Sequence, residues 1–453
     1  MLQPPPTQAR ILIVGAGPTG LATAVSLIKH RIAVHDIVVV DSALSGQNSS
    51  RAVVIHAATL EALESIGCRT KLDATGIHMQ GIRIQDGNGS PFLVNDFTSL
   101  HPCTKFPYAC MISQAHTEIE LNKELEALGG HVFRPLKAIG MKPVGNGLQV
   151  SFETGQTITA QYVIAADGAR SVIRSVAGIG FLDPEGLEKD KSVDPRTSQM
   201  ILADVSFDSS LDHVFPVDHY TGNFSICPDG LFLLAPLAHP KVQSTLYGAS
   251  EPIYRIGFSV PLRKGEAPSQ PGLEVLQEYV DGQGPPIISS DPSRNPTNKP
   301  VHLKKVYWST RFRTHSAIAD TFFKRIHGDT EQENGGIVML VGDAAHIHSP
   351  MGGQGMNLGL RDAVGLGAVV AKHIQSLTGP DANTNSNLEL LQGFAKERHG
   401  RASRQIAMTK RFAWFVGSLM NPWSIQYWVL YVMGKIPFFK KKLVWQLSGL
   451  GNR

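Results

Sequence analysis

Residues 340–363 read LVGDAAHIHSPMGGQGMNLGLRDA and place Asp343, His346 and His348 within six residues, ahead of Gly352, Gly353 and Gly355. Two imidazoles and a carboxylate could ligate zinc or non-haem iron, could relay a proton, or could flank a bare backbone that cradles a large anionic group. No HExxH or HxxxH helix supplies further ligands, so no metal is expected. No GxSxG elbow exists, and Ser349 lies between His348 and Pro350 without an obvious orienting acid, so no nucleophile is assigned. The cradle is favoured. A buried-strand pattern, IVMLV (337–341), leads into Gly342 and Asp343, and residues 356–373 have helical periodicity. Pro350 and the glycines between them let backbone approach a flat ring, and the helix start offers N–H groups to an anion.

Two further segments have the same strand–turn–helix form. RILIV (10–14) runs into GAGPTG and the helical pattern LATAVSLIKH, and IVVVD then ends a second strand at Asp41, twenty-one residues beyond Gly20. This is GxGxxG in the context it requires: Gly15 for the tight turn, Gly17 for close approach to a pyrophosphate, Gly20 for helix–strand packing, and an acid for ribose hydroxyls. The motif specifies an adenine dinucleotide without choosing between NAD and FAD. QYVIAADGARSVIRSV (161–176) is a strand, a turn at Asp167 and Gly168, and a helix-like segment with Arg170 and Arg174. By itself that segment is weak, because a DG turn after a strand is common.

GAGPTG, ADGARSVIR and GDAAHIHSPMGGQGMN, in this order, resemble the flavoprotein monooxygenases of the para-hydroxybenzoate hydroxylase and phenol hydroxylase family. The likeness continues through SSRAVVIHAATLEALESIG (49–67), ISQAHTEIEL (112–121), WSTRFRTH (308–315) and QLSGL (446–450). The resemblance implies an α/β fold: a Rossmann-like FAD-binding domain of discontinuous segments, an antiparallel-sheet α+β substrate domain, and C-terminal helices. It implies cofactor contacts from Gly15, Gly17, Thr19, Gly20, Asp41, Arg51, Gln114, Asp167, Arg170, Asp343, Pro350, Gly353, Gly355, Met356 and Asn357. It also implies FAD as cofactor, NADPH or NADH as electron donor, and O2 addition at flavin C4a to give a hydroperoxide that hydroxylates an aromatic, phenolic or polyketide-like molecule. Epoxidation, Baeyer–Villiger insertion and flavin reduction on the same fold are the alternatives, with a non-catalytic flavin-binding protein behind them. No WxWxIP segment is present, which argues against a halogenase. The chain departs from the family at Gly365, at Ala368 and at Ser316–Ala317–Ile318. No catalytic residue is assigned; Tyr108, His219 and Tyr220 are candidate bases, with ordinary packing or exposure the expected fate of each.

The 453 residues, 42% apolar, suffice for two or three domains. The motif spacing places the FAD domain in 8–75, 111–180 and 335–395, the substrate domain in 76–110 and 181–334, and a helical segment in 396–453. GLFLLAPL (230–237) and IYRIGFSV (253–260) read as strands roofing the cofactor, while 281–300 and 377–387 read as surface loops. A net charge of +4 with thinly spread basic residues argues against nucleic acid. Four cysteines without CxxC spacing suit reduced thiols in the cytoplasm, in a monomer or homodimer. Trp414, Trp423, Trp428 and Trp445 lie near Lys440, Lys441 and Lys442, which would suit a membrane-resting helix. Pro422 and Pro437 divide that run, so packed helices are the favoured expectation.

Overall fold

Short Val- and Ile-rich runs without a polar face make strands that are buried on both sides. The computed structural model describes residues 4–45, 52–86, 90–183, 199–211, 221–227, 230–237, 244, 247–260, 265–313, 316–328, 335–350, 352–377, 384–419 and 425–452. Gln8–Val14 pairs in parallel with Ile37–Val40 on one side and Thr157–Ala165 on the other, and Gly336–Leu340 pairs in parallel with Thr157–Ala165. Val132–Phe133 extends this sheet beyond Ile37–Val40, also in parallel. Phe323–Ile326 and the hairpin Ala138–Val144/Gly147–Phe152 add antiparallel edges. The registers align Val14 with Val40 and Ala165, and Ala165 with Leu340. All three sequence motifs therefore leave the sheet at one edge, where the strands' carboxyl ends lie side by side.

A second sheet has the order Pro91–Asp96, Gly81–Gln85, Thr221–Cys227, Gly230–Pro236, Tyr254–Val260, Gln199–Phe207, Leu303–Arg313. It is antiparallel except where Gly81–Gln85 meets Thr221–Cys227 in parallel. One face, with Ile201, Ala203, Val205, Phe232, Ile256 and Phe258, packs on Leu276 and Val280 of helix Leu273–Gln283. Since alternate residues point oppositely, Asp204, Arg255, Leu233, Ala235 and Phe224 belong to the other face. There Ala235, Leu233 and Phe224 join Val54, Met79, Ala109 and Met111 of a short sheet formed by Val54–Ile55, Ile77–Met79 and Ala109–Met111. The fold class is the mixed one expected, a parallel dinucleotide-type sheet with a mainly antiparallel second sheet.

Two loop expectations need correction at one end each, since 291–294 and 296–300 are exposed as expected. Residues 281–283 finish helix Leu273–Gln283, Pro286–Ile288 forms a 3-10 turn, and Ile288, Ser289 and Asn295 are buried. Asp281 accepts from Ser289 Oγ at 3.1 Å and Ser290 N at 2.6 Å, so the turn-forming residues fold the segment back on its helix end. In 377–387, residues 378–383 lie outside the described residues, and Thr384 already opens the 36-residue helix Thr384–Leu419. That helix runs through residue 395. A Cβ at Gly365 would lie 3.0 Å from both Phe394 and Arg398, so the glycine at this departure lets the long helix seat closely. The departure at Ser316–Ala317–Ile318 leads into strand Ala317–Ala319, which joins Phe181–Leu182 to His346–Ile347.

Candidate active site

The first turn is closed by sterics and by Asp41. Gly15 has φ +104°, and a Cβ there would lie 2.2 Å from the Ala166 carbonyl oxygen; at Gly20 it would lie 1.9 Å from that of Gly15. Asp41 accepts from Ala16 N and Ala43 N, each at 2.7 Å, and faces the Arg134 guanidinium at 3.4 Å. Its role in the fold is therefore to pin the glycine turn to the second strand.

The second turn is fastened to the third. Asp167 Oδ2 caps helix Val172–Val176, accepting from Val172 N at 2.8 Å and Ile173 N at 3.2 Å. Burial pushes this carboxyl up. Arg170 is exposed, whereas Arg174 is buried and donates to Ala344 O and Ala169 O, both at 2.9 Å, with its guanidinium 3.7 Å over the Phe181 ring. Arg174→Leu should strip two carbonyls of their partner and cost about 2–4 kcal/mol, with part of that loss retained in Arg174→Lys. Urea unfolding of the apoprotein checks this, and an unchanged midpoint would show that Arg174 carries no such load.

The third turn rests on the first. At Gly342, φ +63°, a Cβ would lie 2.7 Å from Thr19 Oγ1, and the neighbouring Asp343 is exposed. Gly352 and Gly353 are left-handed and lead into helix Gln354–Ser376, whose N-terminus has no side-chain cap. Gly353 N donates to half-buried Pro350 O at 3.0 Å. Asn357 is fully buried: its Nδ2 donates to Val54 O at 2.8 Å and Gly353 O at 2.7 Å, and its Oδ1 accepts from His56 N at 2.8 Å. That side chain is spent on shaping the loop. The closing QLSGL segment braces the loop too, since Gln354 Nε2 donates to Leu447 O at 2.7 Å and Arg361 Nη1 to Gly449 O at 3.1 Å.

The eye-catching histidines part company. His346 Nε2 meets Asp362 at 2.8 Å, and Asp362 in turn faces Arg398 at 3.5 Å. His348 Nδ1 donates to Ser349 O at 2.9 Å, and burial lowers its pKa to about 4, so it stays neutral. His56, which contacts Gly352 O at 2.9 Å, is likewise lowered to about 4 by burial. Among the described residues no three potential ligands converge on a metal position. Tyr108 donates to both oxygens of Asp73, at 2.8 and 2.9 Å, and stacks on His78 at 4.0 Å. Burial and Asp73 push its hydroxyl up, away from service as a base. Arg51, His219 and Tyr220 lie outside the described residues.

Gln114 Nε2 donates to Glu118 at 3.0 Å. Burial pushes Glu118 up to about 7, with Asp41 adding to the rise while Gln114 and Arg134 oppose it. A carboxyl raised in the folded state binds an extra proton there, so its contribution is full below the unfolded value and is lost as pH rises through about 7. Glu118→Gln should abolish that loss and stabilise the apoprotein by on the order of 1–2 kcal/mol at pH 8, with no gain at pH 4. Melting curves across that range test it, and an equal shift at both pH values would refute it.

One polar group escaped sequence reasoning. Asp204 (0% exposed) and Arg255 (1% exposed) are cross-strand neighbours, with Arg255 Nη2 donating to Asp204 Oδ2 at 3.0 Å and Nε donating to Oδ1. The guanidinium sits 4.8 Å over the Trp308 ring, and Tyr247 OH approaches Asp204 at 3.5 Å. Each interrupts an apolar strand, MILADVSF or IYRIGFSV, and that interruption was the available signal.

The site fits a flavin dinucleotide. A Cβ at Gly17 or Gly355 would meet nothing within 4 Å, so both glycine turns border open space beside an uncapped helix start. The "FAD binding domain" family model matches residues 8–235 and 307–407, and the chain belongs to that family. It is 27% identical to pentachlorophenol 4-monooxygenase of Sphingobium chlorophenolicum, over 82% of this chain and 60% of that one. It is 25% identical to 6-methylpretetramide 4-monooxygenase of Streptomyces rimosus, over 88% and 61%. The chain thus spans about three-fifths of the length of these relatives. Its fold is similar to that of p-nitrophenol 4-monooxygenase from Pseudomonas putida, with TM-score 0.72, 20% identity and coverage of 99% of this chain and 100% of that one.

Proposed function

We propose that the chain is an FAD-dependent monooxygenase that takes electrons from NADPH or NADH and uses O2 to hydroxylate a phenolic or polyketide-like small molecule. The convergence of the three turns at the aligned ends Val14, Val40, Ala165 and Leu340 carries this reading. Gly15, Gly17, Thr19 and Gly20 would hold the pyrophosphate at a helix start; Asp41 would bind the adenosine ribose, Arg51 the pyrophosphate and adenosine side, and Asp343 the ribityl and pyrophosphate region; Gln114 would touch the cofactor from its helix, and Asp167 and Arg170 would serve FAD and the nicotinamide nucleotide. Pro350, Gly353, Gly355, Met356 and Asn357 would border the ring with backbone, Asn357 acting through the loop its side chain shapes. The flavin, when bound, supplies the electron transfer and oxygen activation. This chain's share is to exclude water and orient the ring of the substrate.

The sheet face that meets Val54 would supply the substrate wall. Trp308, Phe312, Leu233 and Phe224 are only half-buried there, and the Asp204–Arg255 pair gives the same face a fixed polar point. Relatives named for pentachlorophenol and p-nitrophenol support a phenolic substrate class. A single GxGxxG unit leaves the nicotinamide nucleotide to bind transiently over the FAD domain. The test is nicotinamide oxidation and oxygen uptake with a phenol and polyketide panel under labelled O2. Substrate-stimulated uptake and a product carrying one labelled oxygen are expected. Absence of both across the panel would leave a flavin-binding protein and overturn the proposal.

A further inference from the structure

We infer that helix Ile425–Met433 and the turn after it form a docking surface for a lipid bilayer that contains anionic headgroups. Tyr427 and Tyr431 lie on one side of this helix and pack edge-on against Phe92 of the outermost strand of the second sheet, with ring centroids at 5.2 and 5.8 Å. That accounts for the inward face. The opposite side carries Ile425, Trp428, Val429 and Val432, exposed by 79, 59, 50 and 58%. At 100° per residue these four fall within one stripe about 100° wide, with Trp428 at its border, edge-on to Tyr427 and Tyr431 at 5.6 and 5.9 Å, and Ile425, Val429 and Val432 turned away from the two tyrosines. Ile436 and Phe438, in the following turn and at the start of the next helix, are also exposed, by 44 and 77%. The other large apolar side chains exposed among the described residues are scattered singly along the chain. A helix apolar on both sides normally has a partner on both sides.

The charge distribution chooses the partner. No Asp or Glu follows Glu397, while ten Lys and Arg do; the first 397 residues hold 32 basic and 38 acidic side chains. Lys435, Lys441 and Lys442, in the turn and helix that follow, are exposed, with the Lys435 ammonium 4.9 Å over the Tyr431 ring. An apolar stripe with an aromatic residue, rimmed by lysines and free of acids, suits the headgroup boundary of an anionic membrane. A second copy of the chain fits less well, because a two-fold contact through this stripe would bring the lysine rims together. No helix among the described residues is long and apolar enough to cross a membrane, so the contact is interfacial. The packed-helix expectation therefore describes only the inward, tyrosine-bearing side.

The test is flotation of the FAD-loaded full chain with phosphatidylcholine vesicles, with and without phosphatidylserine, at low and high salt. The wild type should float with the serine-lipid vesicles, and the bound fraction should fall about tenfold in Trp428→Glu/Val432→Glu and severalfold in Lys441→Glu/Lys442→Glu. Flavin content and melting temperature, unchanged in both variants, show that the fold survives. Failure of the folded wild type to float would overturn the proposal. So would a wild-type dimer that Trp428→Glu/Val432→Glu converts to monomer without any vesicle binding, which would assign the stripe to a second copy. Neither readout uses catalysis, so the outcome is independent of the proposed reaction.

Discussion

Gly17→Val should lose FAD while the apoprotein stays folded. Gly17 has φ −70° and ψ −176°, an extended conformation that valine adopts readily. Its Cβ would meet no protein atom within 4 Å, so the added methyl groups fill only the space where a pyrophosphate must approach the backbone. The FAD dissociation constant should rise by about 100-fold or more, roughly 2.8 kcal/mol, with the apoprotein's urea midpoint unchanged. Gly20→Ala is the contrast: its Cβ would lie 1.9 Å from the Gly15 oxygen, so fold and cofactor should be lost together. Flavin fluorescence on titration, paired with apoprotein unfolding, separates the two. Normal flavin affinity in Gly17→Val would remove this turn from the cofactor site.

Arg255→Met should destabilise the apoprotein by about 3–5 kcal/mol, because it leaves Asp204 buried and charged without its partner. Burial raises the Asp204 carboxyl and the guanidinium opposes that rise, so removing Arg255 favours the protonated acid. The variant should accordingly recover stability as the solution is made more acidic. Asp204→Leu with Arg255→Met should regain much of the loss, since an apolar pair of similar volume leaves nothing unpaired. Thermal unfolding of the single and double variants gives the coupling directly. A single variant as stable as the wild type would show that the pair contributes nothing.

The parallel sheet was legible because its strands are continuous apolar runs ended by glycine turns, and this pattern is local. The motif residues were legible for the same reason: Gly15, Gly20 and Gly342 sit where a side chain would strike backbone or Thr19, so composition reports geometry. What was hidden is what depends on a distant partner. Nothing local to Asn357 announces that its amide is consumed by Val54 and Gly353, nor that Arg174 reaches Ala344 across the two turns. His346 looked like a companion of Asp343 because only Ala344 and Ala345 separate them. Its actual partner, Asp362, lies two helical turns into the following helix and faces back. The start of the polar segment 281–300 misled similarly, since Ser289 bonds to Asp281 at the end of a helix and Asn295 folds back on the carbonyls of Ile287 and Ser289.

The bracing of the glycine loop by Leu447 and Gly449 has a consequence for synthesis of the protein. The parallel core pairs residues near 14 with residues near 165, and those with residues near 340. Its last support arrives more than a hundred residues later still, at Leu447 and Gly449. Contacts of such long range form slowly and only after both partners exist. On a ribosome, the first turn would wait until residues 447–449 had emerged before its pocket could close, so flavin capture should not precede their emergence. Nascent chains stalled at residue 430 should hold no flavin, and retention of flavin by them would show that the pocket closes without its last brace.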